Sequence, residues 1–396
     1  MQSYREIVIS VVLFLFFGCS PITEKADSRV IDIAAKVGTG EIVNLSQIAD
    51  EIRYVPLETK KESLIDGGII YVFFEKGHIY VVDNTNVKIF DSNGKYISTI
   101  NRLGRGPEEY SDILNANVDP QNGNVTIFSY SGTLKEYDIY GNFISSVQIP
   151  DLKGCDFLNC IKFDDNTYLS SVQQRTDNGI EYSLIAFDSL SKVKLIIDNP
   201  ADNSELNMAK IPNLVRFENK IRIVHRDVDM DTIYSLTSNM NLEQSFIFNY
   251  GKYKMPYNKS NYKEILGSKT SNNISLSGDV IESGNYLFFK FNFRGIKTES
   301  YERRWNIVCG IFNKVDGKLT LMKEPVKGKL GFRNDIDTGF VFWPYSQCSD
   351  NYLLSMYPAD KFITLADSSV SSAKVKEIAA KLDENDNPVV VIVKMK

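Results

Sequence analysis

Histidine is nearly missing from this chain of 396 residues: His78 and His225 are the only two. That scarcity argues against a histidine-rich metal site and weakens any Ser-His-Asp reading. Cysteine is sparse as well. The five cysteines include no C-x-x-C pair, so neither a zinc site nor a thioredoxin-type redox pair is supported. Proline (12 residues) is scattered and forms no linker that would divide the chain. There is no basic excess either: 45 Lys plus Arg against 50 Asp plus Glu leaves a net charge of −5. A mildly acidic chain is a poor general binder of nucleic acid, so no nucleic-acid partner is expected, and no motif calls for a cofactor. What the chain does have is aromatic weight, 21 Tyr and 23 Phe, which favours strands.

A short apolar run lies at the N-terminus, Ile7 to Gly18, after a single arginine. It is too short for a permanent bilayer span and fits the hydrophobic core of a signal peptide. It ends in Phe16-Phe17-Gly18-Cys19, which resembles a bacterial lipobox, the cysteine becoming the lipidated first residue of the mature chain. The expected division is therefore a signal peptide over 1–18, a lipidated leader over 19–50 and one folded domain over 51–396. Membrane attachment would run through acyl chains at Cys19, since several chains anchor where one does not. Cys155, Cys160, Cys309 and Cys348 remain; export permits disulfides, but buried free thiols are the expectation for a domain of this size.

The fold is read from a repeat. VKIFDSNGKYISTI (87–100) and LKEYDIYGNFISSV (134–147) are each a strand, an Asp-x-x-Gly turn and a second strand of alternating pattern. Asp opens such a turn and Gly supplies the positive φ. Weaker copies lie at 183–197, 232–248 and 308–322, and the aromatics before the turns (Phe90, Tyr137, Phe187, Tyr234, Phe312) fall at intervals of 47, 50, 47 and 78. Repeats of roughly 40–50 residues with about four strands each are propeller blades. Five blades are visible. The strand-like ends, IRYVPLE (52–58) on one side and FVFWPYS, NYLLSMY and VVVIVK on the other, supply a sixth. The expected fold is all-β: a six-bladed β-propeller of four-stranded antiparallel blades, its last blade closed by N- and C-terminal strands.

Four segments carry a family resemblance: Tyr54-Val-Pro-Leu-Glu-Thr59, the loop Arg102-Leu-Gly-Arg-Gly-Pro-Glu-Glu-Tyr110, Asn334-Asp-Ile-Asp337 with Phe342-Trp343-Pro344, and the ending from Leu382 to Val390. In them the chain resembles the six-bladed β-propeller lipoproteins of Bacteroides-type bacteria. Where that family commonly has two glycines after Asp337, this chain has Thr338-Gly339. The resemblance implies a fold and an address in the cell envelope, lipid-anchored, at the outer membrane. It implies no activity, substrate or catalytic set.

In a meander, d-to-a and b-to-c connections leave one face of the disc and a-to-b and c-to-d turns the other. Nearly all the long insertions fall in the first class, including Arg102–Tyr110, 198–210, 250–273, 293–305, 324–339 and 368–382. In the last, Val370, Val375, Ile378 and Leu382 are spaced for an amphipathic helix. Of twelve arginines beyond the signal peptide, eight lie in these connections: Arg102, Arg105, Arg175, Arg226, Arg294, Arg303, Arg304 and Arg333. Arginine forks suit carboxylates, sulfates and phosphates. The candidate ligand face is accordingly Arg102, Arg105, Glu108, Glu109, Arg294, Arg333, Asp335 and Asp337. Each has a plainer reading. Arg102 and Arg105 can pair with Glu108 and Glu109. Asp335 and Asp337 can ligate calcium or work as an acid/base pair, or simply cap a turn. Gly104-Arg-Gly-Pro is no phosphate loop, because no Gly-Lys-Ser/Thr follows. His225 can face the channel near Asp227 and Asp229, and Trp343 can stack on a sugar or pack between blades. Two functions follow from these readings: a binding module for a glycan, peptide or protein ligand, and, as the alternative, a propeller hydrolase or lyase with a channel metal. A structural scaffold at the envelope is a third.

Overall fold

The structure, a computed structural model, describes residues 29–65, 67–176, 179–198, 212–217, 220–225, 231–254, 272–278, 280–294, 305–347, 351–367 and 371–396. The expected signal peptide and Cys19 lie outside the described residues. Two strands come first and join blades completed much later: β1 (Val30–Asp32) and β2 (Ala49–Pro56). Blade one follows as β3 (Tyr71–Glu75), β4 (His78–Val82), β5 (Val87–Asp91) and β6 (Tyr96–Ile100). Blade two is β7 (Asn115–Val118), β8 (Val125–Phe128), β9 (Thr133–Tyr137) and β10 (Phe143–Gln148). Blade three has longer strands, β11 (Cys155–Asp164), β12 (Thr167–Thr176), β13 (Gly179–Asp188) and β14 (Val193–Asp198). Blade four is β15 (Pro212–Phe217), β16 (Lys220–His225), β17 (Thr232–Leu236) and β18 (Leu242–Asn249). In blade five the first strand is split into β19 (Asn273–Leu276) and β20 (Ile281–Ser283), both paired with β21 (Tyr286–Arg294), before β22 (Trp305–Asn313) and β23 (Leu319–Leu321). Blade six is β24 (Ser346–Gln347), β25 (Tyr352–Tyr357), β26 (Val389–Met395) and then β2.

All the meander pairings are antiparallel, and the first strands of successive blades touch one another around the axis, β3 against β7, β7 against β11, β11 against β15, β20 against β24 and β24 against β3. The protein is thus a six-bladed propeller. The ring closes as the strand-like termini imply: β2 pairs with β26 from Ala49↔Met395 to Pro56↔Val389. Closure through chain ends leaves no open seam in the ring. The core is not central but divided among blade interfaces. One cluster joins Tyr80, Val82 and Ile89 of blade one to Val125, Ile127 and Tyr137 of blade two. Because both faces of an inner strand meet a neighbouring blade, strands such as β5 and β8 are buried almost throughout.

The repeat owes its form to the turns. Asp91 Oδ1 accepts from the backbone N–H of Asn93 (2.8 Å) and Lys95 (2.9 Å), and Gly94 takes φ +84°. Asp138 and Gly141 (φ +79°) repeat this in blade two. Two of the weaker copies keep the conformation without the glycine, Ser191 at φ +64° and Met240 at φ +59°, while the third has Gly317 at φ +71°. Glycine at 94 has a second cause. The Glu58 N–H donates to Gly94 O at 2.8 Å, and a Cβ at Gly94 would collide with the carbonyl oxygen of Pro56. The c-to-d turn of blade one therefore butts against the end of blade six's outer strand. Gly141 meets the end of β6 in the same way, its would-be Cβ 3.2 Å from Thr99 O.

Residues 29–50, expected as a leader, form a strap around the rim. β1 adds a fifth strand to blade four, parallel to β18 (Val30↔Ile247). Glu41 then pairs with Met322 beside blade five, and Asn44 with Arg333, before the chain enters β2. Two helices fill the β25–β26 connection: α1 (Ala359–Ala366) and α2 (Ala373–Ala379). The second is the helix expected over 368–382, shorter than its apolar spacing suggests. Ser372 Oγ caps it by accepting from Val375 N, and Val375 is buried; Val370 lies outside the described residues. In FVFWPYS only Ser346 and the following Gln347 act as strand, because Phe342 bridges to Phe332 instead.

Candidate functional site

The observed strand order puts Arg102 and Arg105 (between β6 and β7), Arg294 (the last residue of β21) and Arg333 (between β23 and β24) at the same end of their blades. Arg175 is likewise a strand residue, near the end of β12, rather than a loop residue. Arg226, Arg303 and Arg304 lie outside the described residues. Sharing an end does not bring these groups into one site. Arg294 ends its strand apart from the rest, which separate into two structures of different kind.

The first is the loop Arg102–Tyr110. Its ends are clasped: Tyr110 N donates to Arg102 O (2.9 Å) and Gly104 N to Tyr110 O (2.9 Å). Buried Tyr110 sends its hydroxyl to Thr85 O (2.7 Å) and Ile100 O (3.0 Å). Blade two holds the middle, Lys135 Nζ donating to Pro107 O (2.6 Å) and Tyr137 OH to Glu108 O (2.7 Å). Burial lowers the pKa of Lys135 and raises those of Tyr110 and Tyr137. Inside the loop, Glu109 turns back and accepts from Gly106 N at 2.8 Å, lying so close to Gly104 that a side chain there would strike its carboxylate. Glu109 is thus engaged with its own backbone and does not pair with the arginines. Arg102 and Arg105 stand exposed, and among the described residues neither guanidinium makes an ion pair or hydrogen bond. The sequence marks Tyr137 only as a repeat aromatic and does not single out Lys135, so their part in holding this loop goes unread there. Their signal was the periodic core pattern of β9, which says nothing of a loop some thirty positions earlier.

The second is the segment around Arg333–Asp337, at the outer rim against the strap. Arg333 Nε donates to Asn44 Oδ1 (2.6 Å). Asp335 accepts from Ser46 N (2.9 Å) and Ser46 Oγ (2.6 Å); partial burial opposes its ionisation, but these bonds hold its carboxyl below the usual range. Asp337 Oδ1 accepts from Asn334 Nδ2 (2.7 Å), Gly339 N (3.0 Å) and Tyr54 OH (3.2 Å). Burial and the Asp337 charge push the Tyr54 phenol far up. Thr338 takes φ +58°, so the glycine-like backbone survives the missing glycine, and Gly339 leaves no room for a side chain beside the Tyr54 hydroxyl. These bonds fasten the d-to-a connection of blade five to the strap and the closing strand. Asp337 Oδ2 is buried without a partner among the described residues, and exposed Arg333 engages Asn44 through its Nε.

The remaining candidates fall out similarly. Trp343 packs between blades, stacked on Phe332 (6.0 Å, 14°), with Lys290 Nζ 5.4 Å above its ring. His225 closes β16, while Asp227 and Asp229 lie outside the described residues. Cys155, Cys160 and Cys309 are free thiols, Cys160 and Cys309 buried. Cys348 lies outside the described residues. Among the described residues no three His, Cys, Asp or Glu side chains cluster as a metal site would need, and no helix is long and apolar enough to cross a membrane.

Known proteins resemble the chain in fold more than in sequence. A putative exported protein from Bacteroides fragilis, known from its crystal structure, is 17% identical over 93% of this chain and 99% of its own, with a TM-score of 0.66. The WD40 domain of Pan2 from Neurospora crassa is 9% identical over 64% of this chain and 65% of its own, with a TM-score of 0.36. Among curated proteins none matches. The family model described as "Domain of unknown function (DUF4934)" matches residues 28–394, nearly the whole described propeller and strap, and the chain belongs to that family.

Proposed function

We propose that this is an exported, lipid-anchored propeller of the cell envelope that binds, without transforming, a ligand carrying an anionic group, a glycan or a peptide. The observation that carries the reading is the Arg102–Tyr110 loop. Two guanidinium groups stand in solvent, unpaired among the described residues, on a loop braced by Tyr110, Lys135 and Tyr137. A loop held this firmly fixes the backbone from which its arginines reach before a ligand arrives, which leaves only their side chains to be ordered on binding and suits bidentate contact with carboxylate or sulfate. Export is supported by the apolar N-terminus and by the name of the Bacteroides fragilis neighbour; lipid attachment is supported by Phe16-Phe17-Gly18-Cys19, and an outer-membrane address goes with it.

Isothermal titration with polygalacturonate, a sulfated glycan, a neutral glucan and an acidic peptide tests the site. Binding of an acidic probe that falls at least ~10-fold in Arg102→Ala/Arg105→Ala, about 1.4 kcal/mol or more, with an unchanged melting temperature, is the expected result. Equal binding by the variant removes this loop from the function. Palmitate labelling that persists in Cys19→Ala removes the anchor.

A further inference from the structure

In the c-to-d turns, the residue whose N–H is received by the leading Asp or Asn occupies one equivalent position: Asn93 in blade one, Tyr140 in blade two, Leu190 in blade three and Val315 in blade five. Turn chemistry favours small polar residues there, as at Asn93, and has no use for an apolar side chain. Packing does not use them either, for Leu190 is 86% exposed, Val315 73% and Tyr140 67%. These are three of the four most exposed large apolar side chains among the described residues, and all three sit on the turn rim. Scattered apolar residues on a surface need no account, but three at one structural position of one face do. Exposed Lys192 and Lys194 follow Leu190, and exposed Lys318 follows Val315.

The chain's own course says what faces this rim. β1 runs parallel to β18, with Val30 opposite Ile247 and Asp32 opposite Asn249. β18 starts at its c-to-d turn, so β1, parallel to it, has its N-terminal end directed toward the turn side of blade four. Cys19 is ten residues before Arg29. Even fully extended, that tether reaches only about 35 Å.

We infer that the turn rim is the membrane-docking surface of the protein: Tyr140, Leu190 and Val315 enter the headgroup boundary of the bilayer, the neighbouring lysines meet lipid phosphates, and the opposite face with Arg102 and Arg105 points away from the lipid. This rests on the reading of Cys19 as the lipid anchor. Apolar tips flanked by lysine are the usual composition of a surface that lies in the interface without spanning it. With several acyl chains holding the protein, the rim sets orientation rather than affinity.

The test uses the full lipidated chain, reconstituted into phosphatidylcholine/phosphatidylglycerol vesicles with or without brominated acyl chains, as single Leu190→Trp, Val315→Trp and Tyr130→Trp variants. Tyr130 is 77% exposed in the b-to-c turn of blade two, on the opposite face. Brominated lipid should reduce and blue-shift the added emission at 190 and 315 and leave that at 130 unchanged, relative to the parent with its own tryptophans. Protein that floats with the vesicles but shows no quenching at 190 and 315, or equal quenching at 130, overturns the docking and leaves the anchor standing. Protein that carries no lipid and does not float removes the anchor and the docking together. Emission at 190 that follows protein concentration instead of bromine assigns the rim to a second copy of the chain and also overturns the inference.

Discussion

Three glycines of the turn side share a left-handed backbone but not its surroundings, and that separates local from ring-level strain. Gly77 (φ +75°) has nothing within 4 Å of a would-be Cβ, Gly141 (φ +79°) has Thr99 O at 3.2 Å, and Gly94 (φ +84°) would strike the Pro56 carbonyl and come within 3.0 Å of Val55 Cγ1. Alanine at Gly77 meets only the left-handed penalty, about 1–2 kcal/mol, less the ~0.4–1 kcal/mol by which alanine stiffens the unfolded chain. The net is about 1 kcal/mol. At Gly141 the neighbouring backbone must give by a few tenths of an ångström, which adds a fraction of an overpacking cost of about 1–3 kcal/mol. At Gly94 the full overpacking cost applies, and moving Pro56 away also endangers the Glu58 N–Gly94 O bond, worth about 1 kcal/mol, for a total of about 3–5 kcal/mol. Urea unfolding of Gly77→Ala, Gly141→Ala and Gly94→Ala should give losses in that order. Equal losses at 77 and 94 would mean that the seam between blades six and one is not closed by this contact, and the two-cause account of the repeat glycine would fail.

Other outcomes follow from the same contacts. Glu282, 3% exposed, accepts from Arg222 (2.7 and 2.9 Å) and Lys314 (2.7 Å) across blades four and five; Arg222→Leu should cost about 3–5 kcal/mol in urea unfolding, and a loss under ~1 kcal/mol would show the bridge to be hydrated rather than buried. Burial raises Tyr54, Tyr80, Tyr110 and Tyr137 well above the ordinary phenol range, and Tyr168 to about 12. A pKa raised on folding contributes stability that is complete below the unfolded value and is lost as pH climbs toward the folded one. Stability should therefore fall above pH ~10, by up to ~1.4 kcal/mol per pH unit for each such tyrosine. Absorbance near 295 nm should show these five ionising only with unfolding; their smooth ionisation in folded protein would contradict the burial. Removing residues 20–48 uncovers the edges of β18 and β23 and should cause concentration-dependent aggregation, read by light scattering; a monodisperse truncation would make the strap dispensable.

Much of this protein is legible in its sequence because a blade is made of local things. An Asp-x-x-Gly turn between alternating strands specifies a hairpin from a dozen consecutive residues, and a period near 47 repeats it around a ring. Even the closure is readable, since strand-like ends that cannot pair with a neighbour in sequence must pair with each other. The ring alone decided the rest, because its contacts join residues hundreds of positions apart. Val30–Asp32 is three residues, too short to announce a strand by itself; it is one because β18 offers it an unpaired edge. Nothing near Arg333 and Asp335 in sequence announces that they bond Asn44 and Ser46, each 289 positions earlier. Arg102 and Arg105 lie only a few residues from Glu108 and Glu109, yet Glu109 is drawn to the N–H of Gly106 and the arginines are left to solvent. Spacing can place charges in the same loop, but which of them pair is settled by where the backbone points its donors, and that is fixed only when the blades have closed.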